Sequence, residues 1–315
     1  MAASKLPLHA LRLDTYAELE AYVRAFAAGH LHLLLLFGPP GVGKSRAVRQ
    51  ALDPHVGWLS GQATPLGIYL EAFAHRHLPL VLDDIDGLYA DRSGIRLLKA
   101  LCQTEPVKTL GWHTLTPILE LREVPQQFTT TSRLALIGND WKTLNADVAA
   151  LEDRGHVLFF EPTALEVHRQ AAGWFWDQEI FDFVAARLHL IGQHSLRTYR
   201  QAAELKPAGL DWRRAVLSRC LSGPALLVAR LQADLSFPSE AARVQAFIAA
   251  GAGCRATYYH HARKLRPPTD IPKIVLTYQT PPTADMATPD HLDDLRRRYR
   301  RLGNGLTFRP RRGLT

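Results

Sequence analysis

The sequence predicts a three-layer α/β/α domain on a parallel sheet, continued by a helical region, and three features predict it. Short apolar runs alternate with helical patterns through the first half of the chain, a glycine loop follows one of those runs at once, and after Phe160 the strand-like runs stop. Residues 14–28 place Tyr16, Leu19, Tyr22, Val23 and Phe26 at helical spacing ahead of Gly29, which suits a helix closed by a glycine. The run over Leu31–Phe37 follows. It is apolar on both faces, as a strand in the middle of a parallel sheet must be. Similar runs at Leu78–Leu82, Leu134–Ile137 and Val157–Phe160 predict further strands, with helices over Ser45–Leu52, Ile68–His75 and Ile95–Cys102 and right-handed crossovers between them. His55–Leu59 predicts an edge strand. Beyond Phe160, Thr163 and Glu166 fit a capping box, and apolar periodicity runs through Trp174–Ile191, Leu196–Leu205 and Trp212–Leu221. Residues 238–265 predict another helix pair, and five prolines from Pro267 to Pro282 predict an extended linker. The expected divisions are a core over 1–162, a helical appendage over 163–235, a small helical segment over 236–266, and a linker with a basic tail over 267–315.

Composition narrows the class. With 315 residues and 47% hydrophobic content the chain can fill a real core. The longest unbroken apolar run, Leu33–Phe37, is far short of the roughly 20 residues a membrane helix needs. The N-terminus lacks the apolar stretch and small-residue cleavage site of a secretory signal, so the cytoplasm is the expected compartment. Cys102, Cys220 and Cys254 are scattered, without disulfide or zinc spacing, and are read as free thiols. The formal charge of +8 is a tail: eight of the 38 basic residues lie from Arg296 onward, where there is no acid, and the other 30 match the 30 acids. An arginine cluster of this kind either neutralises nucleic-acid phosphates or merely solubilises an end.

The chemistry lies at the end of the first strand. Gly38-Pro39-Pro40-Gly41-Val42-Gly43-Lys44-Ser45 matches G-x-x-x-x-G-K-[ST] in full, between a strand and a helix. Glycines there let backbone N–H groups turn inward as an anion nest at a helix N-terminus. ATP is the expected ligand, with Lys44 on its β- and γ-phosphates and the Ser45 hydroxyl on Mg²⁺. A Mg²⁺ so held needs a carboxylate at a neighbouring strand end, and Leu80-Val81-Leu82-Asp83-Asp84 supplies one. Asp83 is assigned to the metal, Asp84 to orienting or deprotonating the attacking water, and Asp86 to a cap or turn.

These residues resemble the AAA+ P-loop ATPases over about residues 15 to 220. Arg133-Leu-Ala-Leu-Ile-Gly-Asn139-Asp140 is similar to the sensor 1 strand, with Asn139 placed between the γ-phosphate and the acid. Leu151-Glu-Asp-Arg154-Gly-His156 resembles the segment that carries an arginine finger; the resemblance implies that Arg154 reaches a neighbouring subunit's nucleotide, and a surface salt bridge is the other reading. The helices after Pro162 resemble the AAA+ lid, with Arg197 at the sensor 2 position. Trp174, Phe175 and Trp176, consecutive and unable to share one helical face, either pack the lid or lie under the adenine. The family further implies a homo-oligomer, ring or filament.

Two segments bear on the partner. Residues 104–132 form a long insertion whose Val107–Trp112 and Gln127–Thr131 predict a hairpin; Lys108, Trp112 and His113 suit a polynucleotide, and a solvent-facing insertion is the alternative. Gly251-Ala-Gly253 separates two short helices in the manner of a helix-turn-helix, with Arg255, Thr257, Tyr258, His261 and Lys264 as its contact set, against a plain hairpin packed on the lid. The expected function is a Mg²⁺-dependent ATPase acting on DNA as a helicase, loader or mobile-element accessory, through residues 251–265 and the tail. The alternative is a nucleotide-dependent switch that remodels or recruits a protein partner. No membrane contact is expected.

Overall fold

The computed structural model describes residues 9–52, 54–85, 92–114, 116–140, 153–175, 177–191 and 194–266. Asp86, Trp176 and the whole segment 267–315, with its arginine cluster, lie outside them. Strand β1 (Leu11–Leu13) leads into α1 (Tyr16–Ala27), whose start is fixed by a full capping box between Thr15 and Glu18. Then β2 (Leu33–Phe37), α2 (Lys44–Ala51), β3 (Gly57–Ser60), α3 (Pro65–Ala74), β4 (Leu80–Asp83) and α4 (Arg92–Leu101) alternate as expected. The insertion supplies β5 (Lys108–Gly111), a one-turn α5 (Pro117–Leu121) and β6 (Gln127–Thr130); β7 (Leu134–Gly138) and β8 (His156–Phe160) complete the sheet.

Six strands pair in parallel in the order β1-β8-β2-β7-β4-β3. Every residue of β2 is buried, because β7 and β8 flank it and both faces are covered. One face packs on α1, α2 and the helices that follow the sheet; the other packs on α3, α4 and the insertion. The expected edge strand is β3 beside β4. β1 was not legible as a strand, since three residues carry too little pattern.

The insertion is the expected antiparallel hairpin, β5 against β6, but its polar content is not turned outward. Lys108 is 2% exposed and donates to the carbonyls of Leu101 and Ser132, each at 2.7 Å. Trp112 lies 5.8 Å from the Tyr69 ring, and Phe128 packs on Tyr69 and Phe73 at 5.0 and 5.1 Å. Only His113 of the proposed polynucleotide set is exposed. The correction is physical: α4 ends at Leu101, where a carbonyl needs a donor, and the lysine supplies it while also holding the Ser132 carbonyl.

After the sheet come α6 (Ala164–Trp174), α7 (Gln178–Ala185), a 3-10 turn (Leu188–Leu190), α8 (Leu196–Leu205) and α9 (Trp212–Cys220). The helix expected from Trp174 to Ile191 is thus broken: Phe175 closes α6 and Asp177 caps α7, so Trp174 and Phe175 sit at a corner rather than along a helix. Inside these helices His168 Nδ1 lies 2.7 Å and His194 Nε2 2.6 Å from the Tyr199 hydroxyl, all three side chains buried. Burial pushes both histidines down to about 4.

The last three helices, α10 (Gly223–Ala233), α11 (Glu240–Ala249) and α12 (Arg255–Leu265), share their own small core of Val228, Val244, Phe247 and Tyr258. α10, grouped with the appendage in the sequence reading, packs here with α11 and α12. Gly251, at φ 68°, makes the turn between the last two. Tyr258 is fully buried and donates to Glu240 Oε1 at 3.0 Å, so it leaves the proposed groove-facing set; Arg255 and Lys264 are exposed, and Thr257 and His261 are half-buried. Cys102, Cys220 and Cys254 are unpaired. Among the described residues no helix is long and apolar enough to cross a membrane.

Candidate functional site

The glycine loop leaves the C-terminal end of β2 and enters α2, and its conformation shows why glycines are needed. Gly38 stands at φ 150°, where a Cβ would overlap the Phe160 carbonyl oxygen; Gly43 stands at φ 86°, where a Cβ would come within 2.6 Å of the Trp174 ring. Gly43 is also the N-cap of α2, so the open end of that helix faces the loop without a capping side chain. Two contacts hold the loop from behind. The Tyr16 hydroxyl donates to the Val42 carbonyl at 2.6 Å, and the Leu196 amide, at the start of α8, donates to the Gly41 carbonyl at 2.9 Å. Neither partner has a motif signature, and neither was legible in the sequence.

Lys44 is 5% exposed, and its ammonium donates to the carbonyls of Gly38 (2.8 Å) and Pro39 (2.9 Å) and to Asn139 Oδ1 (3.2 Å). Burial pulls its pKa down to about 8 against the opposing pull of Asp84 and Asp83, and nearby Arg197 lowers it further. Ser45 Oγ donates to Asp83 Oδ1 at 2.8 Å. Asp83 closes β4 at 9% exposure; desolvation raises its carboxyl above the usual range, the Ser45 hydrogen bond opposes that rise, and the Asp84 charge adds to it. Asp84 itself is exposed and adopts φ 49°, a left-handed conformation that aspartate tolerates better than most residues. Asn139 Nδ2 donates to both Asp84 oxygens, at 3.1 and 3.0 Å. Asn139 therefore joins the lysine of one strand end to the acid of another.

That bridge depends on sheet order. β7, which ends at Gly138, runs between β2 and β4, so its next residue necessarily stands between the glycine loop and the acid pair. The strand that leads to Asn139 thus lies between the loop strand and the acid strand, and helices follow the sheet. The parallel sheet order and the glycine loop between β2 and α2 make a P-loop α/β/α fold. No protein-family model matches the chain, and no curated protein matches it. Solved structures similar to this chain include a RuvB mutant of Thermotoga maritima, at 12% identity over 79% of this chain and 88% of that one, with a TM-score of 0.42. The FIGL-1 AAA domain in complex with ADP is similar at 13% identity, covering 93% and 92%, with a TM-score of 0.35. NtrX from Brucella abortus in complex with ATP is similar at 12% identity, covering 80% and 69%, with a TM-score of 0.38.

The site is a cavity of about 260 Å³ lined by the loop, Asp84 and Asn139 and by Trp174, Phe175, Leu196, Arg197 and Arg200. Arg197 lines it. Trp174 and Phe175 line it too, and the Arg46 guanidinium lies 4.2 Å over the Trp174 ring and 5.9 Å from Phe175. Arg46 was missed in the sequence because it lies one residue beyond the motif. Arg154 is elsewhere: its guanidinium donates at 2.8 Å to the Lys99 carbonyl in the last turn of α4, so within this chain it is a helix-end contact.

The residues present fit Mg²⁺ and a triphosphate. Ser45 and Asp83 already share a hydrogen bond, and the Lys44 ammonium is held on carbonyls at the loop mouth. No cluster of three or more histidine, cysteine or carboxylate ligands exists among the described residues, so a Mg²⁺ at Ser45 and Asp83 would complete its shell with water and phosphate oxygens.

Proposed function

We propose that the chain binds Mg·ATP at the glycine loop and hydrolyses it, and that the lid couples this cycle to work on DNA. The observation that carries the nucleotide half is the convergence of Lys44, Ser45, Asp83, Asp84 and Asn139, from three adjacent strand ends, on one opening. The loop amides and Lys44 would hold the β- and γ-phosphates; Ser45 and Asp83 would hold Mg²⁺, which supplies charge neutralisation at the phosphates. Asp84, steered by Asn139, is the group that would accept a proton from water, and Arg197 would sense the γ-phosphate from the lid. Arg154 is assigned to the neighbouring subunit's nucleotide in a homo-oligomer, a role that requires it to leave Lys99.

DNA is supported by the basic outer surface of α12, where Arg255, Tyr259, His260, Arg263 and Lys264 are exposed and no acid occurs. Turnover of Mg·ATP measured with and without single- and double-stranded DNA tests this, with stimulation expected. A second reading, a slow switch that recruits a protein partner, is favoured by one feature: both Asp84 oxygens are already engaged by Asn139, which leaves less of the carboxylate open to an attacking water. ATP-dependent assembly that ignores DNA would select it.

A further inference from the structure

A second cavity among the described residues lies apart from the candidate nucleotide site. It measures about 660 Å³ and lies between the lid, formed here by α7, the 3-10 turn and α9, and the terminal helices α10 and α12. Four arginines line it, Arg187, Arg213, Arg214 and Arg230, against two carboxylates, Asp211 and Asp234. The carboxylates serve their own backbone: Asp211 accepts from the Arg214 amide at 3.0 Å, and Asp234 from the Ser236 amide at 2.9 Å. Arg187 lies flat 3.6 Å over the Phe183 ring, and Arg213 is paired with Glu179. Arg214 and Arg230, from α9 and α10 on opposite walls, have no ion pair or side-chain hydrogen bond among the described residues. Like charges gathered around one hollow repel until an anion arrives, and a guanidinium fork matches phosphate oxygens.

We propose that this cleft takes the sugar-phosphate backbone of a nucleic-acid strand. The inference rests on the DNA-acting reading and gives it a place. Leucines 190, 217 and 265 supply apolar wall, which suits sugars and bases better than a bare anion. Leu265 is also the last residue of α12, so the cleft adjoins the acid-free basic helix. Coupling follows from packing: α9 lies along α8, the helix whose first turn carries Arg197 at the nucleotide site. A strand seated on Arg214 and Arg230 therefore touches the helix pair whose other end faces the phosphates.

The test is fluorescence anisotropy of labelled single-stranded and duplex DNA across a salt series, on the full chain. Each phosphate contact contributes about 0.9 to the slope of log affinity against log salt, so Arg214→Ala with Arg230→Ala is expected to lower that slope by about two. Over a fourfold rise in salt this amounts to roughly a twelvefold narrowing of the gap to wild type. The pair Arg214→Lys with Arg230→Lys, which keeps both charges, is expected to retain the wild-type slope. Alanine variants with wild-type affinity and slope would overturn the cleft while leaving DNA binding intact, and lysine variants that fail as the alanine ones do would overturn it as well. Wild-type protein that ignores DNA, or prefers polyglutamate through these arginines, would overturn both the cleft and the reading beneath it.

Discussion

Substituting Tyr199 by phenylalanine removes one oxygen and nothing else. The ring stays stacked on Phe181 at 5.2 Å, but two buried imidazole nitrogens, His168 Nδ1 and His194 Nε2, lose their partner together. A hydroxyl donates once, so one histidine accepts from Tyr199 and the other donates to it; the variant orphans one acceptor and one donor. Each buried orphan costs about 1–3 kcal/mol, and partial relaxation leaves a loss of roughly 2–5 kcal/mol. At about 2–4 °C per kcal/mol for a chain of this size, the melting temperature should fall by about 10 °C. Because α8 carries both Arg197 and the Leu196 amide that holds the loop, ATP affinity should weaken as well. Differential scanning fluorimetry with and without Mg·ATP measures both. A variant that melts within about 2 °C of wild type and binds ATP equally would refute the buried network as a stabilising element.

Four other outcomes are expected. Asp84→Asn should keep ATP binding and lose most hydrolysis, about a hundredfold or more, whereas Lys44→Ala should lose both; equal turnover in the two contradicts the roles given to them. Burial holds Lys44 near 8 in the free protein, below its unfolded value, so stability rises with pH between about 8 and 10.5 and the free ammonium is lost above about 8. Phosphates would restore its proton, so ATP binding near pH 9 should take up close to one proton, and calorimetry in buffers of different ionisation heat that finds none would remove Lys44 from the phosphate contact. Mixing Arg154→Ala with Lys44→Ala protein should recover some activity if the arginine acts across a subunit boundary, while no recovery leaves it a contact of α4. Lys108→Met should destabilise the chain by about 2–3 kcal/mol, since one helix-end carbonyl and one loop carbonyl lose a charged donor, yet leave DNA affinity unchanged; an altered affinity would return the hairpin to the DNA surface.

What the sequence made legible was local. The loop, its strand and its helix occupy one stretch, and the acid pair ends another apolar run, so position along the chain was enough to place both. Asn139 was singled out by the resemblance of its segment to a sensor 1 strand; its neighbours were set by sheet order. The misreadings share a cause. Lys108 and Trp112 look like a solvent-facing pair until α3 and α4 cover them, and hydropathy does not say which polar residue will be needed at a helix end. Tyr258 could have been read correctly, because Tyr258, Ala262 and Leu265 lie on one helical stripe that must pack. The trio of His168, Tyr199 and His194 spans two helices and a turn, so no window of sequence contains it.

The outer moorings of the glycine loop carry one more consequence. A trans peptide points its carbonyl and the following N–H in opposite directions. With the Gly41 oxygen fastened to the Leu196 amide and the Val42 oxygen to the Tyr16 hydroxyl, the N–H groups of Val42 and Gly43 are turned the other way before any anion approaches. Two residues remote in the chain, one in the first helix and one in the helices after the sheet, thus preset the dipoles of the nest, so a swing of α8 would change the loop's grip on an anion without moving Lys44.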